Sequence, residues 1–300
     1  MGILALTFLL AAADPDDGLA KTMLPVYVRE AEGYTMAVAA DPKKVLELKK
    51  EPVLEWSNSA RAGFDNTDTA VQGVVFVWLR AGRPAALGCV YSEPEVRLKG
   101  RKVYHEFHAL DPEKLVVTRP KGALNEWQPE AGLARKELPD APAPAGTPAA
   151  RLLQMKKLAA EFTGHGVDQD KKRADMRLLP APLYRYPPAA TGVVDGALFT
   201  LIATAGTDPE ILLLIEAKEV AGALRWEFAC GRFSDKSLYV QRKGKEVWSL
   251  PRGDTNTWLR DPQHLFRVYP DKVVTREGEV LARCRATETA WWGDYFPAAD

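Results

Sequence analysis

With 300 residues, 46% of them hydrophobic and 27% charged, the chain can bury one large core or two medium ones, and its composition excludes global disorder. Its 40 Lys and Arg balance 40 Asp and Glu, so the charge excess that draws proteins to nucleic acid or anionic membranes is missing. The longest basic cluster, Lys171-Lys172-Arg173, reads as a solvated loop.

Gly2 to Ala13 holds no charge, and Ala11-Ala12-Ala13 precedes the turn-prone Asp14-Pro15-Asp16-Asp17-Gly18. The pattern predicts a signal peptide cleaved after Ala13 and export to a periplasmic or extracellular space. No Lys or Arg precedes the apolar run, and a buried N-terminal helix turn is the other reading. The run is too short to span a bilayer, so no transmembrane segment is expected.

Helical spacing of Leu24, Tyr27, Val28, Ala31, Tyr34 and Val38 predicts a helix over 22–38, with Pro25 in its first turn and Asp41-Pro42 as its stop. Strands follow at 52–57, carrying Trp56, and at 73–79 and 85–91, a hairpin turning around Gly82. Residues 102–109 and 115–119 add two more strands, and the Pro/Ala-rich stretch 137–148 reads as a linker. A second helix then starts with Thr147 as N-cap and Pro148 as first helical residue. Leu152, Met155, Leu158, Ala159 and Phe162 form its apolar face, and Gly164 and Gly166 suit its stop. Strands at 176–179, 197–204, 211–217, 224–230, 238–242 and 246–249 complete this pass; the tail 251–300 adds a hairpin over 272–283 and an aromatic end.

The two passes repeat one order of elements, and VVFVWLRAGRP sits over ALFTLIATAGTDP. An α+β fold is therefore expected, a tandem duplication of two similar helix-plus-antiparallel-sheet halves over 14–136 and 149–250. Each half resembles cystatin-like or nuclear-transport-factor-like folds; chance likeness between hairpins is the alternative. Residues 74–79 and 211–215 are apolar on both faces, so a second layer must cover them, and the other half is the nearest candidate.

Histidine is scarce. In His105-Glu106-Phe107-His108 the two imidazoles stand three apart, which on a strand puts them on opposite faces and excludes a shared metal. Tyr104, Glu106 and His108 share a face and are placed to act on a ligand in a concave sheet, His as proton shuttle and Glu orienting it. The plainer reading is the polar side of an alternating strand. Trp56, Asn58 and Arg61, where a strand enters a loop, suit a sugar or carboxylate ligand, although Asn58 serves equally as a turn residue. Trp291, Trp292, Tyr295 and Phe296 either cap a core of the same chain or dock a partner. Nucleophile elbow, phosphate loop, dinucleotide fingerprint and calcium loop are all missing, so no cofactor, metal or catalytic residue is expected. Cys89, Cys230 and Cys284 lie in apolar strand-like runs and read as buried thiols, with a Cys89–Cys230 disulfide left open.

The phrases EPVLEWSN (51–58), VFVWLRAGRPAALGCVYS (75–92), HEFHAL (105–110), LLPAPLYRY (178–186), DGALFTLI (195–202) and EVWSLPR (246–252) together resemble an uncharacterised group of exported bacterial proteins. The resemblance implies export and carries no activity. The expectation is an exported, non-catalytic binding or protein-interaction module. The alternative is an enzyme acting on a small molecule in a sheet-lined pocket through Tyr104, Glu106 and His108.

Overall fold

Strands apolar on both faces need cover on both, and here a helix supplies one cover and a second sheet the other. The computed structural model describes residues 15–58, 70–119, 127–186, 188, 192–253, 261–284 and 295–297. The predicted signal peptide, Arg61, Trp291 and Trp292 lie outside them.

In chain order the elements of the N-terminal stretch are α1 (Pro15–Glu32), β1 (Thr35–Val38), β2 (Asp41–Val45), β3 (Glu47–Asn58), β4 (Val71–Arg80), β5 (Arg83–Glu95), β6 (Gly100–Ala109), β7 (Leu115–Thr118) and β8 (Lys136–Glu137). Then come α2 (Pro148–Ala159), β9 (Phe162–Val167), β10 (Arg173–Leu178), β11 (Tyr184–Tyr186), β12 (Val193–Ala203), β13 (Pro209–Val220), β14 (Ala223–Arg232), β15 (Ser237–Arg242) and β16 (Lys245–Leu250). The chain closes with β17 (Phe266–Val274), β18 (Val280–Cys284) and β19 (Tyr295–Pro297). One sheet has the order β19-β18-β17-β6-β5-β4-β3; a second has β16-β15-β9-β10-β12-β13-β14-β8, with β11 on β12; β2-β1-β7 form a small third. No helix among the described residues is long and apolar enough to cross a membrane.

Alternation along the strands builds three apolar layers. Val74, Phe76 and Trp78 of β4 and Val103 and Phe107 of β6 pack under Met23, Val26 and Tyr27 of α1. Phe199 and Leu201 of β12 and Leu213 and Ile215 of β13 pack under Met155 and Leu158 of α2. The intervening residues, Val75, Val77, Leu87 and Cys89 from the first sheet and Leu198, Leu212, Leu214 and Ala229 from the second, meet in the middle. The order is helix, sheet, sheet, helix.

The expected α+β fold of two helix-plus-sheet halves is overturned. The chain is 57% strand and 11% helix, in large antiparallel sheets, one of them curled into a half-barrel. Nor is either sheet one continuous half. β17 pairs along β6 from Phe266↔His108 to Val274↔Arg101, so the C-terminal chain completes the first sheet, while β8 pairs β14 in the second. Without β17, β6 would present a row of unpaired backbone groups, and local sequence pattern cannot show which distant strand fills that edge.

Element ends differ as well. Pro15 takes the first helical position of α1, which leaves Pro25 in the interior. Gly33 stops the helix, its N–H on Arg29 O at 3.2 Å, and Thr35 to Val38 leave it to pair with β7. Gly164 and Gly166 fall inside β9 rather than ending α2. Thr147 does cap α2, accepting from the Ala150 N–H. The hairpins turn through Ala81-Gly82, Ala221-Gly222 and Lys243-Gly244, pairs in which both residues have positive φ, the backbone that two-residue hairpin loops require. All three cysteines are free and buried. Cys89 faces the layer between the sheets and Cys230 faces α2, so the Cys89–Cys230 bridge does not form.

Candidate functional site

The layer between the sheets is apolar in its middle and charged at both ends. At one end Arg83 of β5 grips Glu216 of β13 with two parallel bonds, Nε to Oε1 at 2.8 Å and Nη2 to Oε2 at 2.6 Å. Arg135 donates to Oε2 at 3.0 Å and the Tyr186 hydroxyl to Oε1 at 2.6 Å. Burial would raise the Glu216 pKa, but Arg135 and Arg83 outweigh it and hold the carboxyl below its usual range. Both oxygens are occupied, and this end is a clasp.

The other end lies six residues along β5 and six back along β13, roughly 20 Å away at the rise of a strand. Alternation on β6 turns Tyr104, Glu106 and His108 into the layer and His105 and Phe107 toward α1. Glu106 stands beside Cys89 in register and is half-buried, with no hydrogen-bond partner among the described residues. Asp208 and Asp235, in loops, and Glu210, at the start of β13, are the second-sheet carboxylates whose charge acts on it. Burial, then these three carboxylates, push the Glu106 pKa well above the usual carboxylate range; Lys236 opposes them. Glu210 is almost fully buried, with Lys236 on Oε1 and Oε2 without a hydrogen-bond partner among the described residues. Burial, with Asp208 adding to it, raises its pKa too, although Lys236 works against both.

Aromatic rings line the first-sheet side. Trp56 Nε1 donates to Cys89 Sγ at 3.3 Å, and its ring lies 5.9 Å from that of Tyr91. Tyr91 stacks on Tyr104 at 4.9 Å. Asn58, at the end of β3, fastens the mouth: Nδ2 donates to Asp208 Oδ1 at 2.7 Å, and Oδ1 accepts from Thr207 N at 2.9 Å.

The structure thus brings Trp56, Asn58, Tyr104 and Glu106 to one end of the layer. It does not bond Tyr104, Glu106 and His108 to one another. The Tyr104 hydroxyl donates to Glu93, and His108 Nδ1 donates to the Ala109 carbonyl at 2.7 Å. Burial lowers the His108 pKa to about 4. Tyr295 and Phe296 stand in β19, paired with Cys284 and Arg283 at the edge of the first sheet. A shallow groove of about 550 Å³ beside α2, lined by Lys156, Phe162, Met176, Arg177, Leu178 and Pro180, contains none of the residues singled out in the sequence. Sequence reasoning missed Asp208, Glu210 and Asp235; their one signal is acid at the ends of predicted strands.

A second polar cluster lies under α1, where Glu30, Tyr34, His105, Arg119, Tyr269, Asp271 and Lys272 meet. Lys272 Nζ bonds Glu30 Oε1 at 2.6 Å, and Arg119 bonds Glu30 Oε2 and, at 3.0 Å, Asp271 Oδ1. The Tyr34 hydroxyl lies 2.5 Å from His105 Nδ1 and bonds the Tyr269 hydroxyl. His105 Nε2 and Asp271 Oδ2 are buried with no hydrogen-bond partner among the described residues. Burial lowers the His105 pKa to about 4, against the pull of Asp271 and Glu30.

Comparison with family models, with curated proteins and with solved structures finds no match for this chain.

Proposed function

We propose that the chain is a non-catalytic binding module whose site is the acidic end of the inter-sheet layer, and that its ligand is a small organic cation such as a primary amine or a guanidinium. The observation that carries this reading is Glu106, a carboxyl with no hydrogen-bond partner among the described residues, set among Asp208, Glu210 and Asp235. Among the described residues Lys236 bonds Glu210, Arg252 lies 3.6 Å from Asp235, and the Arg232 charge also acts on Asp235. A partly desolvated site with surplus carboxylates is stabilised by a bound positive charge, and the ring cluster of Trp56, Tyr91 and Tyr104 lies alongside for the ligand's stem. The reading includes the export predicted from residues 1–13, which an intact mass of the mature chain tests directly.

The binding test is isothermal titration with cadaverine, agmatine and a neutral disaccharide. The two cations are expected to bind, more tightly as pH rises because the Glu106 proton must leave, and Glu106→Gln is expected to weaken them at least tenfold. Disaccharide binding in their place, or cation affinities that Glu106→Gln leaves unchanged, would overturn the assignment.

A further inference from the structure

We infer that Glu30, His105 and Asp271 form a site for a single transition-metal dication of the zinc class, tying α1 to β6 and β17. His105 Nε2 lies 3.5 Å from Glu30 Oε2 and 3.8 Å from Asp271 Oδ2, and the three donor atoms all lie within 4.8 Å of one another. Zinc bonds to nitrogen and oxygen run about 2.0–2.2 Å, which sets tetrahedral neighbours roughly 3.4 Å apart. One imidazole with two carboxylates suits zinc or iron(II) rather than calcium, which takes six to eight oxygens.

Two of the three donors, Nε2 and Oδ2, belong to fully buried side chains and are orphaned among the described residues. Buried polar atoms are nearly always bonded, and here two orphans face one point. The outer contacts match those of a metal site, where ligands are oriented by further bonds. The Tyr34 hydroxyl holds Nδ1, leaving Nε2 for the ion, while Lys272 and Arg119 hold the far oxygens, Glu30 Oε1 and Asp271 Oδ1. Arg119 also reaches Glu30 Oε2. The two basic groups already balance the two carboxylates, and Lys272 Nζ also lies 3.6 Å from Asp271 Oδ2, so the dication must displace the guanidinium from Glu30 Oε2 and push the ammonium back from Asp271 Oδ2. This competition moderates affinity and supplies a distinctive test: Arg119→Gln should bind the metal more tightly.

The experiment uses the full chain, stripped with a chelator, refolded with or without excess Zn²⁺ and analysed for bound metal after gel filtration. The expected result is one equivalent retained, a midpoint of thermal unfolding several degrees higher, and one equivalent of Co²⁺ giving visible ligand-field bands. His105→Gln and Asp271→Asn should each lose the uptake, and Arg119→Gln should strengthen it several-fold. X-ray absorption of the zinc-loaded wild type, showing one imidazole and oxygen donors near 2.0 Å, decides the matter even where a variant does not fold. Absence of stoichiometric uptake by the wild type, or uptake that survives both ligand substitutions, would sink the proposal.

Discussion

The two ends of the inter-sheet layer share β5 and β13 and treat charge in opposite ways. At the clasp, Glu216 accepts from Arg83, Arg135 and Tyr186 and keeps no free oxygen. At the mouth, Glu106 has no hydrogen-bond partner among the described residues and Glu210 keeps an orphaned oxygen. A chain able to satisfy one buried carboxylate so fully has no packing reason to leave the equally buried Glu210 and the half-buried Glu106 short. A half-satisfied buried network costs stability, and such local costs gather where a site is kept ready for something else. The clasp therefore reads as structure and the mouth as a site.

The sharpest way to break this contrast is at Glu216. Glu216→Ala leaves Arg83, Arg135 and Tyr186 facing one another without their shared acceptor. The loss of one partner from a buried ion pair costs about 3–5 kcal/mol, and equilibrium urea unfolding should read that loss. A cost below about 1 kcal/mol would mean that water reaches the clasp and that the two ends do not differ in kind.

Acid provides the next test, because His108 lies in the layer between the two ends. Its pKa is about 4 in the fold and about 6.5 in the unfolded chain. The imidazole is neutral when folded, so the unfolded state binds the extra proton between those values. Stability is lost as pH falls from 6.5 to 4, by about 3 kcal/mol from this residue. His108→Gln should remove that part of the decline while leaving the clasp intact. A decline unchanged by the substitution would show that His108 is solvated and that the layer is open at its middle.

Asn58 tests whether the mouth is held open or closed. Its amide ties β3 to the loop before β13 through Asp208 and Thr207. Asn58→Ala should cost roughly 1–2 kcal/mol, the range for a hydrogen bond to a charged group and its neighbour. It should also weaken cation binding, because Asp208 loses its orientation. Full affinity in this variant would place the ligand away from Asp208.

How much of this was legible in the sequence depends on the distance between partners. The hairpin at Gly82, the Thr147 cap and the strand over 224–230 were readable because each is set within a few residues. The end of α1 was misplaced because the helical spacing runs on through Tyr34 and Val38, while Gly33 stops the helix locally. The pairing of β6 with β17, about 160 residues apart, left no local trace, and with it went the expected division into halves. At the site, alternation on one strand picked out Glu106 together with Tyr104 and His108. What makes Glu106 unusual comes from Asp208, Glu210 and Asp235, more than 100 residues away on the other sheet, and the clasp likewise joins Arg83 to Glu216 across 133 residues.

The remaining test is the one that most directly separates the two ends, and its effect vanishes in acid. Glu106→Gln keeps the shape of the side chain and removes its charge. The folded pKa of Glu106 is raised above its unfolded value, so the folded chain holds this proton longer, and its contribution to stability falls as pH climbs from the unfolded pKa through the folded one. Well below the unfolded pKa both states are protonated and the variant should match the wild type. Above that the variant should become the more stable protein, the gap widening by at most about 1.4 kcal/mol per pH unit until the folded carboxyl ionises. Glu216→Gln should do the reverse, because a carboxyl held below its usual range stabilises the fold above the unfolded pKa. Opposite signs from the same chemical change, at the two ends of one layer, would establish that one end is tuned to keep its charge and the other to be without it until a cation arrives.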